Sequence, residues 1–123
     1  MTADYKQLSL FPQETETEKK TVIPADKRLP IFLPLPIRHK SITHEPMLES
    51  IDIRRYLKEY SSIIENVSCG GESGPDARIC DYGWVLNTHL QCVEYGVPFS
   101  YHQTGARLRK GDRVYDIMIS CHL

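Results

Sequence analysis

Apolar positions recur with a regular period only from Ala25 onward. The spacing of Ile53, Tyr56, Leu57 and Tyr60 predicts an amphipathic helix within Met47 to Tyr60. Ahead of it, Lys40 to Leu48 predicts a strand centred on Ser41 to Thr43 and ended by Pro46. Ile63 to Cys69 is β-branched and mostly apolar, the pattern of a buried strand. Gly70-Gly71-Glu72-Ser73-Gly74-Pro75 breaks it into a loop. Asp81 then caps a helix that runs to about Tyr95, with Leu86, Leu90 and Val93 on one apolar face that Trp84 and Val85 broaden. Gly96 suits the position just past its end. Val97 to Gln103 predicts a strand, and Arg107 to Asp116 a hairpin turning at Lys110-Gly111-Asp112. Ile117 to Leu123 predicts a final strand. Pro30, Pro34 and Pro36 restrict Leu29 to Ile37 to a short helical turn. Strands alternating with helices indicate an α/β fold with mostly parallel strands. So few strands leave a parallel sheet thinly covered, which points to a sheet-completing partner or a homodimer.

The first 24 residues follow no such pattern. Gln13 to Lys20 reads Q-E-T-E-T-E-K-K, too polar to offset its ordering entropy, and predicts a disordered N-terminal arm over residues 1–24. An apolar island, Leu8, Leu10 and Phe11, precedes that run and has the character of a docking peptide, or of an edge strand folded back on the domain.

The whole chain is 123 residues long, which suits one small domain. Fifteen basic against 16 acidic side chains leave a net charge of −1, which argues against nucleic-acid binding through bulk charge. Two local basic groups remain, Arg38-His39-Lys40 and Arg107, Arg109, Lys110 and Arg113. No apolar run reaches the ~20 residues of a membrane helix, and Met1 to Tyr5 lacks a secretory n-region, so a cytoplasmic location in a bacterial host is expected. Cys69, Cys80, Cys92 and Cys121 contain no Cys-x-x-Cys pair, and His44, His89, His102 and His122 supply no sequence-local ligand pair. Reduced core thiols, no metal and no cofactor are the expectation.

Gln7-Leu8-Ser9-Leu10-Phe11 resembles the clamp-binding peptide of bacterial replication and repair proteins, in which Gln is followed by Leu, a small or acidic residue, Leu and Phe. The resemblance covers all five positions. It implies that Leu10 and Phe11 anchor in an apolar pocket of the bacterial DNA sliding clamp, with Leu8 packed beside them and Gln7 hydrogen-bonded at the rim.

Six further stretches carry a second resemblance: Ala25-Asp26-Lys27-Arg28-Leu29-Pro30, Ser41-Ile42-Thr43-His44-Glu45-Pro46, Gly70 to Arg78, Asp81-Tyr82-Gly83-Trp84-Val85, Gln91-Cys92 and Val97-Pro98-Phe99. Residues from about Ala25 to Ile117 resemble the carboxy-terminal half of a phage-associated family with a radical-SAM-like barrel, related to DNA photoproduct lyases. The resemblance implies a partial, half-barrel-like sheet with flanking helices over residues 25–123. The family's amino-terminal cysteine cluster has no counterpart here, and His102 stands where the family usually has Lys, so radical chemistry is not expected. A vestigial pocket would draw on Glu45, Glu72, Ser73, Arg78, His102 and Gln103 at the carboxyl ends of strands. In it, Glu45 and Glu72 would form a carboxylate pair, or Glu72 would instead hold Arg78 in an ion pair fixing the glycine loop.

These features lead to a non-enzymatic phage or mobile-element protein that docks on the sliding clamp and modulates replication or repair. An inhibitor of a bacterial defence system such as a CRISPR nuclease is the first alternative. Half of a split radical-SAM-like enzyme is the second.

Overall fold

The computed structural model describes residues 5–9, by their backbone, and 25–117. Ten elements follow in order: β1 (Tyr5–Ser9), α1 (Ala25–Phe32), β2 (His39–His44), α2 (Arg54–Tyr60), β3 (Ile64–Gly70), β4 (Cys80–Asp81), α3 (Tyr82–Glu94), β5 (Phe99–Gln103), β6 (Arg107–Lys110) and β7 (Arg113–Asp116). They form a parallel four-stranded sheet, β1-β2-β3-β5, and a small β4-β6-β7 sheet. The expected α/β architecture is therefore what the chain adopts, with the hairpin β6–β7 turning at Gly111, whose φ of 61° suits the turn. Among the described residues the parallel sheet does not close into a barrel.

Strand alternation sorts the sheet into two faces. Ile42 and Val67 point to the three helices and join Leu29, Phe32, Leu33, Ile53, Tyr56, Leu57 and Cys92 in the main core. Cys69 continues that face into a second cluster with Met47, Cys80 and Val85, edged by Trp84 and Tyr101. The opposite face carries small polar side chains. Thr43 and Ser68 hydroxyls lie 3.1 Å apart, and Ser100 donates to Asn66 at 3.1 Å.

Four local expectations need correction. Tyr5–Ser9, expected within a disordered arm, is an edge strand with Gln7 opposite Ser41 and Leu8 opposite Ile42. The polar run behind that expectation begins beyond the strand, and residues 10–24 lie outside the described residues. The helix expected within Met47 to Tyr60 fills only its second half, Arg54–Tyr60. Residues 50–53 are instead tied to α3: Ile53 N–H donates to Gln91 Oε1 at 2.7 Å, and Gln91 Nε2 donates to the Ile51 carbonyl at 2.8 Å. Asn87 adds bonds to Ser50 and Ile51. This rotates α3 so that Val85, Thr88, Gln91 and Cys92 face inward, while the expected apolar face is exposed, with Leu90 at 65 % and Val93 at 63 %. A side-chain amide that satisfies two loop backbone groups outweighs the burial of one leucine, because unpaired buried peptide groups are costly.

The fourth correction concerns Lys40. It is not a surface charge but is buried, at 1 % exposure. Its Nζ donates to the carbonyls of Leu33, Leu35 and Ile37 at 3.0, 2.7 and 2.6 Å and lies 5.9 Å from the Phe32 ring. Burial lowers its pKa. Pro34 and Pro36 supply no backbone donors in this segment, so the ammonium collects its carbonyls. His39, the next member of that expected basic group, pairs with Glu65 at 2.6 Å. The expected helix cap held: Asp81 accepts from Gly83 N–H at 2.7 Å. The strand expected at Ile117 to Leu123 lies almost wholly outside the described residues; Ile117 N–H bonds the Ala106 carbonyl.

Lys40→Met is expected to lower stability by on the order of 3 kcal/mol in urea unfolding, through carbonyls left unpaired. The exposed Lys58→Met is expected to change it by less than about 0.5 kcal/mol. Buried His44 provides a pH signature. Burial pushes its pKa down to about 3, against 6.5 for a free imidazole. Below 6.5 the unfolded chain binds a proton that the native state refuses. Stability is therefore full above that pH and falls as pH drops toward 3, by about 1.4 kcal/mol per pH unit. Urea midpoints between pH 6.5 and 5 are expected to flatten in His44→Asn; an unchanged slope would assign the dependence elsewhere.

Candidate functional site

The carboxyl ends of β2, β3 and β5 meet in backbone contact, and glycines make this possible. A Cβ on Gly70 would stand 2.7 Å from Glu45 Oε1, and one on Gly71 only 2.3 Å from the Thr104 carbonyl oxygen. Gly105, at φ 79°, lies equally close to Glu72 backbone. Hydrogen bonds close the crossing: Met47 N–H to Gly70 O at 2.8 Å, Gly71 N–H to Gln103 O at 3.0 Å, and Ala106 N–H to Glu72 O at 2.8 Å. The Glu45–Pro46 peptide is cis.

This crossing sorts the expected site residues into two groups. Glu45, His102 and Gln103 come together: Gln103 Nε2 donates to Glu45 Oε1 at 2.8 Å, and His102 Nδ1 lies 3.2 Å from Oε2. Imidazole against carboxylate is an arrangement that binds or moves a proton, with half-exposed His102 as the outer member. Glu72 and Arg78 form the other group. Arg78 meets both carboxylate oxygens, Nε at 3.1 Å and Nη2 at 2.7 Å, and its backbone N–H adds 2.9 Å. Those bonds hold the Glu72 carboxyl below the usual carboxylate range. Glu45 and Glu72 are thus each held by their own partners, and the loop-fixing ion pair is the arrangement observed. Ser73 lies apart from both, in an open groove of about 540 Å³ between Ser73-Gly74-Pro75 and a wall of Ala106, Arg107, Asp116 and Ile117.

Of the docking residues, Gln7 and Leu8 are on β1, while Leu10 and Phe11 lie outside the described residues. The hairpin's basic group is partly neutralised. Arg109 Nε donates to Asp81 at 2.7 Å with its guanidinium over Trp84, and Arg107 sits 3.6 Å from Asp116. Lys110 lies over the Tyr82 ring. Sequence reasoning missed this Asp81–Arg109–Trp84 junction, since nothing local announces a contact spanning 28 residues. Burial raises the thiol pKa values of Cys69 to about 12 and of Cys80 and Cys92 to about 11, so all three stay protonated and unreactive near neutrality. Among the described residues, no three His, Cys, Asp or Glu side chains form a group able to hold a metal ion.

Residues 16–116 match the model of a family described as "Protein of unknown function (DUF5131)". The chain belongs to the DUF5131 family. No curated protein and no solved structure matches it. The match spans α1 to β7, so the glycine crossing and both side-chain groups belong to the DUF5131 domain, while Gln7 to Phe11 precede it. No helix among the described residues is long and apolar enough to cross a membrane.

The crossing makes a graded prediction. Gly71→Ala drives a methyl into backbone and is expected to cost on the order of 3 kcal/mol or more, or to abolish folding. Gly74→Ala, at φ 103° in open space, is expected to cost only about 1 kcal/mol. Thermal unfolding of both variants checks the order; equal losses would mean the three strand ends are not locked together.

Proposed function

We propose that this DUF5131 protein is a non-catalytic interaction protein of a phage or other mobile element that docks on the bacterial DNA sliding clamp. Gln7, Leu8, Leu10 and Phe11 are the contact residues. The observation that carries the reading is the uninterrupted Gln7-Leu8-Ser9-Leu10-Phe11 run, whose first three residues lie extended at the outermost strand of the sheet. An edge strand is bound along one side only. Among the described residues β1 pairs only with β2, so its release breaks that one ladder while β2 keeps its pairing to β3. The domain behind it then acts as a scaffold of radical-SAM-like ancestry. Four parallel strands with helices on one face support that descent. The ion pairs Glu72–Arg78 and Asp81–Arg109 support a structural use of its charged residues.

In this reading the clamp and β2 compete for the same backbone. The intact chain binds more weakly than its own peptide, by the equilibrium constant for β1 release. Micromolar affinity is the natural scale for a segment that must reorder on binding.

Calorimetric titration into clamp is expected to show saturable binding by the intact chain, tighter binding by a synthetic peptide of residues 1–24, and none by a Leu10→Ala/Phe11→Ala double variant. A peptide that fails to bind would remove the clamp from the reading.

A further inference from the structure

We infer that the outer edge of β7 docks an extended peptide strand of a partner protein, with a carboxylate of that strand opposite Arg113 and apolar side chains opposite Val114 and Tyr115. This surface is separate from the clamp peptide and owes nothing to clamp docking.

The hairpin supplies the free edge. In the small sheet β4-β6-β7, β7 is paired to β6 alone among the described residues, and all four of its residues are exposed. Hydrogen-bonded pairs alternate along an antiparallel ladder. Ile117 N–H donates inward to the Ala106 carbonyl, so the peptide groups of Tyr115 and Arg113 also turn inward. Those of Val114 and Asp116 turn outward, where no described strand receives them. Beside them the Val114 and Tyr115 side chains are 44 and 42 % exposed. An edge in this state is a template for another strand.

Charge decides what the edge takes. Residues opposite one another share a face of the sheet. One face carries Asp81, Arg109, Val114, Arg107 and Asp116, and its ions are matched: Arg109 donates to Asp81, and Arg107 lies 3.6 Å from Asp116. The other face carries Tyr115, Lys110 and Arg113. Lys110 and Arg113 stand directly opposite each other, a like-charge pairing that costs stability. Among the described residues neither meets a carboxylate, Asp112 at the turn included. Lys110 is drawn toward the inner side, 5.2 Å from the centre of the Tyr82 ring. Arg113 is therefore the unmatched cation at the open edge, and a strand that adds there gains most from a carboxylate opposite it.

Other occupants fit less well. In an antiparallel two-fold pair of β7 strands like faces meet, and the Arg113 face of β7 holds Tyr115 but no carboxylate, so a second copy leaves the cation unmatched. Two cations are few for a phosphate backbone, and a net charge of −1 gives no field toward a polyanion. A peptide also has somewhere to continue: the open groove of about 540 Å³ bordered by Ser73, Gly74, Pro75, Asp116 and Ile117 lies at the end of the same strand.

Fluorescence anisotropy of the full chain with a labelled valine–threonine peptide bearing one glutamate is expected to show saturable binding. Arg113→Glu is expected to weaken it about tenfold, and lysine in place of the peptide's glutamate to restore binding to that variant. Val114→Pro removes an outward N–H and leaves the ladder to β6 intact, so binding is expected to be lost while the circular dichroism spectrum stays native. Backbone N-methylation of the peptide reads the same ladder with the chain unaltered and is expected to abolish binding. A wild-type chain that does not bind, or binding indifferent to N-methylation or to Arg113→Glu, would overturn the inference. Capture of single-stranded oligothymidylate in preference to the peptide would mean a phosphate contact and would equally overturn it.

Discussion

The buried ammonium of Lys40 is the constraint on which the sheet depends. The chain leaves α1 through a proline-rich turn in which the Leu35 carbonyl accepts from Ile37 N–H, while Pro34 and Pro36 supply no donor for their neighbours. Left unpaired, the Leu33 and Ile37 carbonyls would cost a large share of what a small domain of this size can spare. Lys40, at the start of β2, donates to these and to the Leu35 carbonyl, with its ammonium over the Phe32 ring. That contact fixes where β2 begins relative to α1. The β2 register then sets β1 on one side and β3 on the other.

At the far end of the same strands, glycine replaces charge as the organising device. Gly70, Gly71 and Gly105 allow three chain segments to cross at backbone distance, and the Glu45 carboxylate occupies space that any side chain at Gly70 would claim. Gln91 does comparable work between helix and loop, where it stands in for missing secondary structure. Lys40 and Gln91 are each buried where backbone groups of an irregular segment need a partner. This accounts for Lys40 and Gln91 in the interior of a 123-residue chain.

Legibility in the sequence followed the range of the interactions involved. Strands β2, β3 and β5, the Asp81 cap and the Gly111 turn were readable because period, cap and turn chemistry act over a few residues. The Glu72–Arg78 pair, six residues apart, was readable for the same reason. Lys40 was misread because its sequence neighbours Arg38 and His39 are charged, while its carbonyl partners carry no mark in the sequence. The packing face of α3 was misread because Gln91 acts on Ile51 and Ile53 across some 40 positions, and apolar spacing alone favoured Leu86, Leu90 and Val93. Of the candidate site, the grouping of Glu45 with His102 and Gln103 follows from parallel strand ends, whereas the partner each carboxylate takes depends on a register that no local pattern encodes.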